Sequence, residues 1–194
     1  MVATRDDTQV TLDAQGDCPA AEIRLSRGQV WLHGCADVSG VRVQATQPVA
    51  VFGGARCAEV PLGREFCGHL VEQSPPVGNW GRRFAVLPLA TRKGSDRLRV
   101  LAHEDDTEVR IDGARVAALS AGQFHQLSLN KPLLIDTGKP ALVAQYAASS
   151  QADGVAGDPF MVLVPAVTQF AARQIVSALS PSAEADPESG QAFA

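Results

Sequence analysis

The chain lacks the features that mark several large protein classes. Aromatic residues make up only 5% of its 194 positions, with a single tyrosine and two tryptophans. Lys and Arg are scattered; Arg82-Arg83 and Arg92-Lys93 are pairs, and the net charge is −4. Nucleic-acid binding by counterion release needs clustered cations, so that class is excluded. No apolar run approaches the ~20 residues of a membrane-spanning helix. The opening MVATRDD has no signal-peptide core and reads like the inside of a strand, so the natural protein is expected to begin upstream. No CxxC pair suggests structural zinc, and no Ser or Cys stands in a nucleophile elbow. Neither a metal nor a cofactor is expected.

Short apolar runs punctuated by Val, Gly and Pro are plentiful, and they predict many short strands. The cysteines at 18, 35, 57 and 67 allow three pairings. Sequence neighbourhood favours Cys57–Cys67 and, by elimination, Cys18–Cys35. Bonded cysteines imply an oxidising compartment; the alternative is four reduced thiols in a cytosolic protein.

The chain also repeats itself. Val2–Leu12 matches Leu101–Ile111 with Asp6-Asp7-Thr8 over Asp105-Asp106-Thr107, a shift of 99. Leu25–Val30 matches Leu119–Phe124 at 94, Gln47–Val51 matches Lys139–Val143 at 92, and Pro75–Trp80 matches Pro165–Phe170 at 90. Ordered matches with a slowly falling shift predict an all-β chain of two tandem related units of about 90 residues, forming sandwich-like sheets. The expected boundaries are 1–84 for the first unit and 85–179 for the second, with a flexible Pro/Ser/Glu-rich tail at 180–194. Expected strands in the second unit are Arg115–Leu119, Phe124–Leu129, Leu133–Asp136, Leu142–Tyr146 and Gln174–Leu179. Pro48 and Pro140 are each placed just before a strand. The paired aspartates suit turns better than calcium, which wants six or more oxygens.

Between the halves lies the most distinctive stretch, CAEVPLGREFCGHLVEQSPPVGNWG from Cys57 to Gly81. His69, Glu72, Gln73 and Trp80 are its candidate binding or loop-shaping residues. A Cys57–Cys67 bond would close a short loop and hold His69–Trp80 in one conformation. His69 with Glu72 is the one pairing suggestive of acid–base work, but in a strand the two would point to opposite faces. Trp80 and Phe170 occupy equivalent positions, which favours packing, and Trp31 reads as core. His33, His103 and His125 are isolated. Asp158-Pro159 reads as a turn pair rather than a self-cleavage site.

The motifs Pro48-Val-Ala-Val-Phe-Gly, Cys57…Val60-Pro61, Cys67-Gly-His69-Leu-Val-Glu72-Gln73, Pro76…Trp80-Gly81 and Gly157-Asp158-Pro159…Val164-Pro165…Gln169 follow one another in order. The set resembles the N-terminal domain of the IgG Fc-binding protein family, over roughly Val2–Phe170. That resemblance implies an extracellular or cell-surface, disulfide-bonded, all-β module for adhesion or for binding a protein or glycan, with neighbouring domains in the same chain. The family often has Cys-Asp-His where this chain has Cys67-Gly68-His69. The expected function is therefore a non-catalytic binding module. The alternatives are a structural spacer in a repeat array and a self-processing or hydrolytic domain.

Overall fold

Residues 8–12 show how the sequence makes its strands. Thr-Gln-Val-Thr-Leu alternates in polarity, and Thr8, Val10 and Leu12 are buried while Gln9 and Thr11 face water. A computed structural model describes residues 1–90, 92–93 and 96–175, and nearly all its regular structure is of this kind. The first half contains β1 (Val2–Ala3), β2 (Thr8–Leu12), β3 (Ala21–Leu25), β4 (Val43–Ala45), β5 (Val49–Ala58), β6 (Gly68–Ser74) and β7 (Gly81–Val86). The second contains β8 (Asp96–Ala102), β9 (Thr107–Ile111), β10 (Ala114–Leu119), β11 (Phe124–Leu129), β12 (Leu133–Tyr146) and β13 (Met161–Val164). One helical turn, α1 (Ser150–Asp153), and two 3₁₀ turns, Val77–Asn79 and Val167–Gln169, complete it. The fold is all-β.

The first half forms two three-stranded sheets, ordered β3-β2-β4 and β1-β5-β6. The second forms a seven-stranded sheet organised on β12, whose neighbours are β9, β8, β7 and β13. All pairings are antiparallel. The two expected strands Leu133–Asp136 and Leu142–Tyr146 are one continuous strand of 14 residues. Pro140 therefore lies inside a strand. It is tolerated because it falls between two ladders: Thr137 is the last residue paired to β9 and Ala141 the first paired to β8. The expected strand Gln174–Leu179 and the tail 180–194 lie almost wholly outside the described residues.

Several local geometries occur twice. Asp7 and Asp106 have φ of 58° and 54°, a conformation aspartate tolerates better than most residues. The hydroxyls of Thr8 and Thr107 donate to the carbonyls of Arg5 and Glu104 at 2.8 and 2.7 Å. Asp6 and Asp105 each accept a backbone N–H at 2.9 Å, from Arg27 and Ala121. These carboxylates are thus spent on turn backbone. Gly28 and Gly122 share a φ of 78°.

Two clusters of buried side chains follow. Val10, Leu12, Leu25 and Ala3 centre the first, with Trp31, Val41, Val43 and Val49 partly buried against it. Leu98, Val100, Val109, Leu129, Ile135 and Val143 centre the second. Phe84 and Val86 of β7 also belong to that second cluster, each only 2% exposed.

Candidate functional site: a disulfide-closed loop beside a cleft

Cys57 lies near the end of β5 and Cys67 immediately before β6, and the two are bonded, with Cα atoms 5.0 Å apart. The bond closes the connection between two strands already paired from Val51↔Ser74 to Ala58↔Gly68. His69 to Ser74 is therefore strand, held by its ladder to β5, and the segment the bond constrains is 58–66.

That segment leans on the second half. Val60 N–H donates to Ser149 Oγ at 2.9 Å, and Ser149 N–H donates back to the Val60 carbonyl at 2.7 Å. Glu65 N–H donates to the Gln151 side chain at 2.9 Å. The α1 turn is fixed in its own right. Arg92 Nε lies 2.9 Å from Asp153 Oδ2, both side chains are almost fully buried, and Arg92 also donates to the Ala148 carbonyl. Gly68 is buried against Pro159, and a Cβ there would stand 2.5 Å from the Pro159 carbonyl oxygen. An aspartate at position 68 would require the Pro159 backbone to shift. So supported, the loop holds Leu62 and Phe66 in water, 91% and 64% exposed, with Phe66 at a φ of 69°.

Leu62 is also on the wall of a cleft of about 1710 Å³ that runs between the sheets. Across it lies a cluster on the second half's sheet. The Arg99 guanidinium sits 4.3 Å from the centre of the Phe124 ring and 5.9 Å from that of Tyr146. It donates to Asp37 and Ser39, both at 2.8 Å, and to Gln126 at 3.0 Å. Burial pushes the Asp37 carboxyl up, but hydrogen bonds from Ser39 and the Arg99 charge outweigh it and hold the group below the usual carboxylate range. Burial raises the Tyr146 hydroxyl, partly offset by Arg99.

Three of the four candidates from the sequence meet this cleft. Glu72, Gln73 and Trp80 line it. The Trp80 indole N–H donates to the Pro75 carbonyl at 3.1 Å, and its ring meets His103 edge-on at 6.0 Å. His69 is exposed on the opposite face of β6 from Leu70 and Glu72, and no hydrogen bond joins it to Glu72 among the described residues. The acid–base pairing is not assembled. Cys18 and Cys35 are bonded with Cα atoms 5.2 Å apart. A His33 ring nitrogen lies within 4.8 Å of both sulfurs, but sulfurs bonded to each other are not thiolate ligands. Trp31 packs on the first core and stacks on His33.

Leu62, Phe66, Arg99, Phe124 and Tyr146 escaped the sequence reading. Leu62 and Phe66 carried one signal, being large apolar residues inside a loop bounded by cysteines. The Arg99 cluster carried none, because strand pairing alone brings its members together.

The sequence profile of the IgGFc binding protein family matches residues 1–187. The human IgGFc-binding protein is 29% identical over 154 residues, 76% of this chain. The chain spans only 3% of that protein's length. No solved structure matches. With a family profile covering nearly its whole length, the chain belongs to the IgGFc-binding protein family.

Proposed function

We propose that the chain is a non-catalytic, extracellular protein-binding module whose contact surface is the tip of the Cys57–Cys67 loop and the adjoining cleft. One observation carries this reading. A loop closed by a disulfide and stapled to Ser149 keeps two large apolar side chains in water, beside a cleft lined by Trp80 and the Arg99 cluster. Exposed apolar groups on a rigid support are how interfaces obtain central anchors, and a loop ordered beforehand loses less entropy on binding. Two disulfides favour an oxidising, extracellular setting. The name of the human relative makes the Fc fragment of IgG the first ligand to try, with purified mucin as the glycan-bearing probe.

Leu62→Asp with Phe66→Asp changes only exposed side chains, so folding should be unaffected. Immobilised Fc and mucin should each be tested against the parent and this variant. Capture of either ligand by the parent, weakened at least about tenfold by the double substitution, supports the reading; such a loss corresponds to about 1.4 kcal/mol. Equal capture by parent and variant would place the contact elsewhere.

A further inference from the structure

We propose that the outer edge of β4 is an acceptor for a β-strand of the β7 kind, supplied by another copy of this building block. The inference does not use the loop tip or any ligand, although Val43 of the β4 edge lines the same cleft.

It rests on a difference between two otherwise equivalent ladders. In the second half, residues Leu133–Thr137 of β12 are flanked on both sides. On one side β9 pairs Ile111↔Ile135 and Val109↔Thr137; on the other β7 pairs Val86↔Leu133 and Phe84↔Ile135. In the first half, β2 pairs Leu12↔Val43 and Val10↔Ala45. These pairs carry the same shifts as the sequence repeat, 99 on one strand and 92 on the other, so β4 (Val43–Ala45) corresponds to Ile135–Thr137, and Val41 just before it to Leu133. Yet among the described residues β4 pairs with β2 alone. Among the described residues, the position β7 fills in one half is open in the other.

The side chains record the same difference. Ile135 is fully buried and Leu133 8% exposed, with Phe84 and Val86 packed in the same cluster. Their counterparts Val43 and Val41 are only partly buried, and both line the cleft. The backbone points the same way. Asp13 N–H donates to the Arg42 carbonyl and Thr46 N–H to the Gln9 carbonyl. By the alternation of an antiparallel ladder, Arg42, Gln44 and Thr46 face β2, and the N–H and C=O of Val43 and Ala45 face outward. An open edge of this kind accepts an added strand through main-chain bonds, with alternate side chains setting specificity.

The occupant is specified by β7 itself. It leaves the first half through the 3₁₀ turn Val77–Asn79 and completes the sheet of the second, so one strand donation is already present within the chain. The same register would set a Phe84 equivalent opposite Val43 and a Val86 equivalent opposite Val41. One feature would differ. Arg83 pairs with Asp136 at 2.6 Å, and the residue corresponding to Asp136 is Gln44. The strand received by β4 should therefore favour a neutral residue where β7 has Arg83.

The test uses the whole isotopically labelled chain and a synthetic peptide of residues 75–88 with Arg83→Gln. The amides of Val43 and Ala45 should shift on titration and become protected from hydrogen exchange. Phe84→Asp in the peptide should weaken binding at least about tenfold, as expected for losing a buried aromatic ring. Val43→Pro in the chain removes an outward N–H, spares the β2 ladder and should abolish binding. If that variant does not fold, fusing residues 75–88 ahead of Met1 decides the matter, with a linker as long as the 87–95 connection. The fusion should raise the denaturation midpoint and block the free peptide. Shifts confined to Leu133–Asp136 would mean exchange with β7 only. That result, no shift at millimolar peptide, or a fusion that neither stabilises nor competes would overturn the proposal.

Discussion

Replacing Ser149 by alanine tests whether the disulfide-closed loop is truly seated on the second half. Ser149 is fully buried and Val60 is 7% exposed. The substitution takes away the Oγ that accepts the Val60 N–H and leaves the 2.7 Å bond from the Ser149 N–H to the Val60 carbonyl in place. A single oxygen leaves too small a void for water to replace it. The cost is therefore that of one orphaned buried donor, about 1–3 kcal/mol. A cost near the middle of that range, about 2 kcal/mol, over a urea dependence of about 2 kcal/mol per molar lowers the unfolding midpoint by about 1 M. Tryptophan fluorescence reads this directly. Trypsin gives a second, local readout, because Arg64 is exposed within the loop and should be cut faster once the loop lifts. Gln151→Ala is the comparison. It removes the acceptor of the Glu65 N–H, which is exposed and can turn to water, so it should cost less than about 0.5 kcal/mol. Equal midpoints for the two variants, with Arg64 equally resistant in both, would refute the seating argument.

Three further outcomes are expected. Gly68→Ala places a Cβ 2.5 Å from the Pro159 oxygen and should lower stability by about 1–3 kcal/mol, measured by chemical denaturation. Gly40→Ala combines a φ of 89° with a Cβ only 2.0 Å from the Gly122 carbonyl, and should cost more than about 2 kcal/mol, seen as a lower melting temperature. The folded-state pKa of Asp37 lies below its unfolded value, so its contribution is present above the ordinary carboxylate range and is lost as pH falls through the folded value. Asp37→Asn should flatten that part of the acid side of the stability–pH curve, and an unchanged slope would exclude Asp37 as its source.

Local patterns made much of the fold legible. Alternation in Thr8–Leu12 and Thr107–Ile111 marks strands, and the Asp-Asp-Thr turns recur because Asp7 and Asp106 adopt the same rare backbone conformation. Non-local pairing was not legible. Nothing near Pro140 tells that two ladders meet there, and nothing in GRRFAV tells that it joins a sheet built from residues 96 onward. The site divides the same way. Glu72, Gln73 and Trp80 stood out by composition within one stretch, whereas Arg99, Phe124 and Tyr146 come from three strands and meet only in the folded sheet. His69 drew notice beside Glu72, but the two-residue period of β6 turns them to opposite faces.

The role of β7 bears on how the chain would answer to tension. Most modules in series are joined by a slack tether that extends first and shields the folded parts. Here the segment that passes from one half to the other is a strand whose Phe84 and Val86 are buried in the second core and whose backbone is bonded along β12. A pull applied at the two ends has no tether to take up at this point. It loads the β7–β12 ladder directly, and the halves can part only by drawing two apolar side chains out of a packed interior. The junction would then yield abruptly rather than gradually, at a force set by that ladder.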